Sequence, residues 1–204
     1  MLAAIAARTL LWLRRMKAAT EPAAALRCET PAPAILIIAF AVVFLCAALV
    51  VLFTAEISRF PMLQRVFGAA AIFGGLCIPF LLLKQDGSIR SASGTATVIL
   101  TFFCCFWLIF AYKLNAEDPV IWAYGPELLA LAATTVGIYE VSAYYHGKAR
   151  PAYAFIALHT GAFLDLSVLF DLRSAAMTVM IGICAALMLL LSYLLIANLK
   201  ESGD

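Results

Sequence analysis

Long blocks of apolar residues alternate with short polar segments along this chain, and four of the blocks contain no acidic or basic side chain. They cover 34–54, 66–83, 91–112 and 174–199, and prolines or charged residues bound each of them. A bilayer core of about 30 Å requires roughly 20 consecutive apolar residues in a helix. Each of these four blocks therefore predicts a transmembrane helix.

Two further apolar blocks lie between 91–112 and 174–199, and both contain ionisable side chains. The first covers 119–145 and includes Glu127 and Glu140, and the second covers 151–170 and includes His159 and Asp165. With these two blocks the pattern predicts six spans. The connections between them are about five to ten residues long, a length typical of antiparallel neighbouring helices.

The start of the fourth helix has two signals, because Asp118-Pro119 and Gly125-Pro126 both resemble the beginning of a helix. We expect the helix to begin at Pro126, since 126–146 is the length of one span. The preceding residues, 120–124, are then expected at the membrane interface. This choice places Glu127 in the first turn, where the helix dipole favours a carboxylate.

The predicted fold is an all-α, polytopic integral membrane protein, a bundle of six transmembrane helices. Residues 1–33 are expected to form a cytoplasmic N-terminal segment, 34–199 the six-helix domain and 200–204 a short cytoplasmic tail. In the second helix, Pro79 follows Gly74-Gly75. A proline inside a helix removes one backbone hydrogen bond, so we expect a bend there.

Composition agrees with a membrane protein and excludes two other classes. Of the 204 residues, 65% are hydrophobic and 13% are charged, against about 45–50% and about 25% in soluble domains. A water-soluble globule of this size needs more polar surface, and a disordered chain needs lower hydrophobicity. The formal net charge of +2 gives no sign of a nucleic-acid partner, which would require a basic patch.

The distribution of basic residues predicts the orientation in the membrane. Ten of the fourteen Lys and Arg residues fall in the N-terminal segment, the second and fourth connections and the C-terminal tail. The other four are Arg59, Arg65, Lys113 and Arg173. Because cytoplasmic loops carry the excess of Lys and Arg, both termini are expected in the cytoplasm of a multi-pass cell-membrane protein.

The N-terminal segment has an amphipathic pattern, with one apolar face about 100° wide formed by Leu2, Ile5, Thr9, Trp12, Leu13 and Met16. It predicts a short helix lying in the cytoplasmic interface, anchored by Trp12. Such a helix recognises anionic lipid, or it is merely the positive flank that fixes the topology. Residues 20–33, rich in alanine and proline, are expected to form a linker.

The six cysteines show no ligand spacing: none forms a Cys-x-x-Cys motif, and none has a histidine at zinc-finger distance. Five of them lie in apolar runs, where cysteine is commonly a small packing residue. The sequence therefore predicts no metal and no cofactor. It also contains no zinc-protease motif, nucleophile elbow or Walker motif, so it does not predict an enzyme.

The candidate binding residues are Asp165, Glu140 and His159, because ionisable residues at membrane depth usually face the bundle interior or a water-filled cavity. If helices 4 and 5 form a tight hairpin that turns between His146 and Pro151, the chain returns at the same 1.5 Å per residue. Two residues at equal depth, one on each helix, then have numbers that add to about 297. Glu140 is then level with Ala157, and we expect it to pair with His159. Asp165 is expected further out, pointing into the bundle.

Two interpretations of these side chains remain open: a polar path or pocket for a proton, ion or small solute, or hydrogen bonds that only hold neighbouring helices together. Four tyrosines near the cytoplasmic end, Tyr139, Tyr144, Tyr145 and Tyr153, predict an aromatic belt. Alternatively, these tyrosines line a ligand pocket.

The sequence thus favours a membrane transport or permease-type component that handles a small solute or ion. The alternative is a non-transporting scaffold or regulatory subunit that acts by helix packing. The length and span number are similar to those of the substrate-binding subunits of energy-coupling transporters, by architecture alone. The expected partners are the lipid bilayer, an unidentified small solute, and a membrane protein or a second copy of the chain.

Overall fold

The computed structural model describes residues 16–17, 26, 31–58, 60–81, 87–115, 121–148, 150–170, 174–198 and 200–201 of the chain. Within them the fold is helical, apart from a two-residue antiparallel pairing of β1 (Met16–Lys17) with β2 (Lys200–Glu201). The six α-helices are α1 (Pro31–Phe53), α2 (Pro61–Cys77), α3 (Gly87–Asn115), α4 (Ile121–Tyr145), α5 (Pro151–Ser167) and α6 (Ala175–Asn198).

Four of the helical segments are long and apolar enough to cross a membrane. They are Pro31–Glu56, Pro61–Leu81, Ala92–Asn115 and Ala175–Asn198, which correspond to the four uncharged blocks of the sequence. The remaining two helices are not among these four segments; α4 carries Glu127 and Glu140, and α5 carries His159 and Asp165. At 17 residues, α5 is about 25 Å long at 1.5 Å per residue.

The six helices pack in sequence order into a closed ring. Each helix lies against the next one along the chain, and α6 packs against α1 to complete the ring. Because the connections are short, consecutive helices run antiparallel. Contact across the ring is minor within the described helices, the clearest case being α4 with α6.

Aromatic side chains fill the space between α1, α2 and α3. Phe67 of α2 stacks on Phe110 of α3, with ring centroids 4.1 Å apart and planes at 12°. Phe44 of α1 meets Phe103 and Trp107 edge-on. Offset and edge-to-face pairs of this kind contribute about 0.5–1.5 kcal/mol each beyond their buried area, so this half of the bundle is held by apolar packing.

A glycine sets the distance between α1 and α2. A Cβ atom at Gly68 would lie 2.9 Å from Leu52 Cβ and 3.0 Å from Leu52 Cα, which is closer than side chains tolerate. Only a residue without a side chain therefore allows the two helices to approach this closely.

The outer surface of the helices is apolar. Large hydrophobic side chains point away from the ring along its whole circumference, among them Phe53, Phe73, Phe102, Phe163 and Phe170. Extended exposed apolar surface is the mark of a protein that contacts lipid or a partner. The surface is therefore compatible with a membrane protein.

The start of α4 differs from the sequence prediction. The helix begins at Ile121 and passes through Pro126, instead of starting at Pro126. A proline in the sixth position removes only one backbone hydrogen bond, to the carbonyl of residue 122, and crowds only that carbonyl. A break this close to the helix end is tolerated, and the first turn therefore extends toward the Asp118-Pro119 signal.

At Pro79 the helical stretch has changed from α to 3₁₀ geometry. The α-helical part of α2 stops at Cys77, and a 3₁₀ segment follows over Ile78–Leu81. Pro79 has no N–H to donate to the carbonyl of Gly75, and the N–H of Ile78 donates to that carbonyl instead. Tightening into 3₁₀ geometry is thus how the chain satisfies the acceptor that the proline leaves.

The two terminal segments meet at one end of the bundle, because Met16 pairs with Glu201 and Lys17 with Lys200. Leu26 in the predicted linker is fully buried in the core, and α1 begins at Pro31, three residues earlier than expected. The predicted interfacial helix lies outside the described residues, apart from its last positions.

Candidate functional site

Asp165 lies in the interior of the bundle. Its side chain is fully buried, and Thr134 Oγ1 on α4 donates a hydrogen bond to Asp165 Oδ2 over 2.8 Å. This bond joins the middle of α4 to the last turn of α5. The hairpin rule predicts that Asp165 is level with Ala132, and its hydrogen-bond partner Thr134 is two residues from that position.

The centre of the ring is closed. A void of about 10 Å³ lies there, lined mainly by apolar side chains from α1, α3, α4 and α6, together with Thr134, Cys104 and Cys184. One water molecule requires about 10–15 Å³ of such space. Among the described residues, the space beside Thr134, the partner of Asp165, is therefore packed and too small for a polar channel.

His159 faces α6 instead of Glu140. Its Nδ1 atom lies 2.9 Å from Ser192 Oγ on α6 and 3.0 Å from the carbonyl of Phe155. The predicted Glu140–His159 pair is therefore wrong. The two residues have similar depths, but positions 157 and 159 point about 200° apart on a helix. Depth was predictable from the hairpin, whereas direction was not.

Glu140 is the polar group of greatest interest. The residue is 8% exposed, and its Oε2 atom has no hydrogen-bond partner among the described residues. A buried acceptor without a donor costs about 1–3 kcal/mol, and more when it is charged. Such a group persists where function requires it or where a ligand supplies the missing donor.

Two grooves meet at Glu140. The larger, of about 420 Å³, runs between α3 and α4. It is bounded by Val98, Thr101, Phe102 and Cys105 on α3, by Tyr139, Ser142 and Ala143 on α4, and by His146, Lys148 and Arg150 after α4. We call it the α3–α4 groove. Its wall is mainly apolar. Its charged groups are Glu140 inside and the basic residues at one end, and Thr101, Ser142 and Tyr139 add hydroxyl groups between them.

A second groove of about 320 Å³ runs between α4 and α5. Tyr153, Ile156, Ala157 and Thr160 form its α5 wall, and Ala133, Val136 and Glu140 form its α4 wall. Ala157 and Glu140 thus share one groove, as the equal-depth rule implies. Glu140 is therefore accessible from either side of α4 once the covering side chains move.

The basic end of the α3–α4 groove is a rigid turn. The N–H of Gly147 donates to the carbonyl of Tyr144, and that of Lys148 donates to the carbonyl of Ala143. These two bonds form a Schellman motif, which requires a left-handed residue, and Gly147 has a φ of +72°. The sequence thereby terminates α4 so that Lys148 is held at the end of the groove.

Two side chains around this turn make contacts with neighbouring groups. His146 Nδ1 donates to the carbonyl of Ser142 over 2.9 Å, and its ring lies 3.4 Å from where a Cβ of Gly94 would be. The guanidinium of Arg150 lies 5.9 Å from the centre of the Tyr153 ring, a cation–π arrangement. Lys148 and Arg150 are exposed, and no described carboxylate forms an ion pair with either.

The four tyrosines divide into two pairs. Tyr144 and Tyr145 are buried, and the Tyr145 hydroxyl donates to the carbonyl of Leu81. Tyr139 and Tyr153 are exposed and line the two grooves. Only Tyr139 and Tyr153 therefore have positions that suit a surface belt or a pocket wall.

Sequence reasoning missed the part of the site that lies in the α4–α5 turn. Lys148 and Arg150 were used to predict orientation, yet they line the same groove as Glu140. The signal was present in the sequence, because Gly147 and two cations closely follow the end of a helix that contains Glu140.

Five cysteines of the described ranges are free thiols. Within those ranges, no three His, Cys, Asp or Glu side chains converge on a position that could hold a metal ion.

Comparison with protein families, with curated proteins and with solved structures finds no match for this chain. The function must therefore be argued from the groove itself.

Proposed function

We propose that this protein is a multi-pass membrane protein in which all six helices span the bilayer and both termini are cytoplasmic. Its function is that of a small transport or permease-type component. It takes an amphipathic small solute from the cytoplasmic leaflet into the α3–α4 groove. Of the three residues predicted from the sequence, we assign the binding role to Glu140, and we assign packing roles to Asp165 and His159.

The observation that supports this proposal is the unpartnered Oε2 of Glu140 in a groove with two cations at its end. A carboxylate at membrane depth is costly and usually marks a binding site or a path. The groove volume of about 420 Å³ lies in the range of small-molecule sites, about 300–1,000 Å³. An apolar wall with a few placed polar groups is also typical of such sites.

Movement through the bundle would require a conformational change, because the core beside Asp165 is closed. The Thr134–Asp165 bond joins α4, the helix that carries Glu140, to α5. A shift of α4 relative to α5 is the change that would open a path. In this proposal the groove is the loading site, and the closed core is one of two states.

The scaffold function is the second candidate, and the closed core is the observation that favours it. A bundle without a channel can act by presenting its apolar outer face to another membrane protein. Helix association in lipid relies on packing and on hydrogen bonds between helices. In that case Glu140 would be covered by a partner instead of a solute.

One experiment separates these candidates: purification in mild detergent, with mass spectrometry of the small molecules and proteins that remain bound. The variant is Glu140→Gln, which keeps the shape and removes the charge. Its matched control is Glu56→Gln, since Glu56 is exposed and pairs with Arg65 at the other end of the bundle.

For a solute site we expect the wild type and Glu56→Gln to retain the same amphipathic molecule, and Glu140→Gln to lose about nine-tenths of it, a tenfold effect worth about 1.4 kcal/mol. A stoichiometric protein partner retained by all three forms, with no retained molecule, would support the scaffold and contradict the proposal.

A further inference from the structure

We propose that the ligand of the α3–α4 groove is a phospholipid whose headgroup carries both a phosphate and a primary ammonium. This inference rests on the proposed function and names its substrate class. The headgroup enters the groove with its ammonium toward Glu140 and its phosphate toward Lys148 and Arg150, while the acyl chains stay in the bilayer.

The order of charges along the groove carries the argument. The two cations lie at the end of the groove, beyond the C-terminus of α4, and the carboxylate lies deeper. Glu140 is six residues before His146, which corresponds to about 9 Å along a helix. A ligand that satisfies both ends must have a positive group and a negative group a few bonds apart, with the positive group inside.

The cationic end suits a phosphate. Arginine binds phosphate oxygens through two parallel N–H groups, and lysine acts as a compact point charge. The guanidinium of Arg150 lies over the Tyr153 ring, and the Schellman motif fixes the backbone of Lys148 at the end of the groove. Neither has an acidic partner in the described part of the chain, so no described carboxylate competes with a phosphate.

The inner end requires an N–H donor. Oε2 of Glu140 is shielded from solvent and has no donor in the described structure. A primary ammonium offers three N–H groups, whereas a quaternary ammonium has the same charge and none. The site should therefore distinguish an ethanolamine headgroup from a choline headgroup, although the two have the same net charge.

The surroundings of the groove indicate a lipid instead of a soluble molecule. Phe102 of α3 and Tyr139 of α4 line it and are 71% and 57% exposed on the outer face. A molecule with acyl chains can keep these chains against that face while its headgroup occupies the groove. A free headgroup would leave the apolar wall uncovered.

The length of α5 adds to this argument. Its 17 residues span about 25 Å, and the hydrocarbon core of a bilayer is about 30 Å thick. A short helix thins the bilayer beside it. Thinning next to α5 brings the headgroup layer closer to Glu140, which lies on the adjacent helix.

The test uses vesicles containing equal amounts of phosphatidylethanolamine, phosphatidylcholine and phosphatidylglycerol. The full-length protein is reconstituted, re-extracted in mild detergent, and its retained lipids are quantified by mass spectrometry. We compare the wild type with Glu140→Gln and with a double variant, Lys148→Met plus Arg150→Gln. The matched controls are Glu56→Gln and Lys113→Met, which alter exposed charges outside the groove.

We expect the wild type and both controls to retain phosphatidylethanolamine about tenfold over phosphatidylcholine, the discrimination that unpaired polar groups in a site can provide. Glu140→Gln should bring this ratio close to one. The double variant should lower the retention of both lipids together, because it removes the phosphate contact and leaves the ammonium contact.

A second measurement on the same vesicles does not depend on extraction. Cys105 lines the groove and is exposed, and Cys46 is an exposed thiol on α1. In vesicles with phosphatidylethanolamine, alkylation of Cys105 should be slower than in pure phosphatidylcholine vesicles. Alkylation of Cys46 should not change, and the difference at Cys105 should vanish in Glu140→Gln.

Four results would overturn the inference. Equal retention of the ethanolamine and choline lipids by the wild type would remove the role of the N–H donor. Stronger retention of phosphatidylglycerol would show that the cations act alone. Displacement of the lipid by excess free phosphoethanolamine would identify a soluble ligand. A Cys105 alkylation rate that is the same in both vesicle types would show that no lipid headgroup occupies the groove.

Failure of the inference is distinguishable from failure of the proposed function. If another molecule is retained in a Glu140-dependent way, the groove remains a solute site and only the lipid assignment is lost. If nothing is retained in a Glu140-dependent way in either experiment, both are wrong.

Discussion

Thr134 on α4 and Asp165 on α5 are joined by a hydrogen bond of 2.8 Å inside the bundle. Both residues are buried, with exposed fractions of 1% and 0%. The bond links the two helices that carry Glu127, Glu140, His159 and Asp165. It is a buried polar contact between α4 and α5, as the Thr97–Ser142 hydrogen bond is between α3 and α4.

Removing either side of this bond should destabilise the protein by a small and coupled amount. For Thr134→Val and Asp165→Leu, a double-mutant cycle in detergent should give a coupling energy of about 0.6–1.7 kcal/mol, the range of hydrogen bonds within membranes. Asp165→Asn keeps an acceptor for Thr134 and should leave the thermal midpoint nearly unchanged. Additive single effects would contradict the bond.

Gly68 should tolerate no side chain. Gly68→Ala would place a methyl group 2.9 Å from Leu52 Cβ and 3.0 Å from its Cα, so the backbones of α1 and α2 must move apart. Such overpacking costs about 1–3 kcal/mol. Chemical unfolding in mixed micelles measures this loss.

The matched control for this prediction is Gly182→Ala. An added Cβ there would lie 3.5 Å from Leu169 Cδ2, an ordinary contact distance. We expect no loss of stability from it, and a gain is compatible with the better helix propensity of alanine. Equal effects of the two substitutions would mean that α1 and α2 are not in close contact.

The topology can be tested with single cysteines introduced into a cysteine-free background. A membrane-impermeant maleimide should reach Gly87→Cys and Lys148→Cys only from the cytoplasmic side, because their connections carry the excess of basic residues. Ser58→Cys and Ser174→Cys should react only from outside. Labelling of Lys148→Cys in intact cells would reverse the proposed orientation.

His159 and Glu140 should act independently, because His159 contacts Ser192 on α6. Ser192→Ala should lower the thermal stability by about 0.6 kcal/mol and leave the retention of the groove ligand unchanged. Glu140→Gln should lower the retention of the groove ligand and leave the thermal stability unchanged. If Ser192→Ala also released the ligand, the separation of these two residues would be disproved.

The helices were predictable from sequence because lipid allows few alternatives: a backbone in hydrocarbon must satisfy its own hydrogen bonds, so uncharged runs form helices. Two features that the pattern did not determine, the 3₁₀ segment at Pro79 and the start of α4, both involve a proline within a helical run. A proline removes one backbone N–H donor and crowds one carbonyl. Whether the helix bends, ends or continues depends on which neighbouring group donates to that carbonyl in its place. The N–H of Ile78 does so for Gly75, and nothing in the local pattern indicates this.

The sequence predicts the depth of each site residue along its helix, but not the neighbouring helix toward which its side chain points. Glu140 and Ala157 share a groove, as hairpin geometry requires. Whether a residue turns toward its partner helix, the core or the lipid depends on helix rotation, which is set by packing around the whole ring. This is why His159 was expected on the wrong neighbour, and why the link between Glu140 and the Lys148–Arg150 turn was missed.

The closure of the ring by α6 on α1 has a consequence for how the protein is made. Five of the six interfaces join helices that follow one another in the chain, so each can form as soon as the second helix of a pair leaves the ribosome. The sixth must wait for Ala175–Asn198, and until then α1 has an uncovered flank. A nascent chain that stalls before α6 is thus an open arc of five helices, and this arc is the form in which a membrane chaperone or a quality-control protease would encounter it.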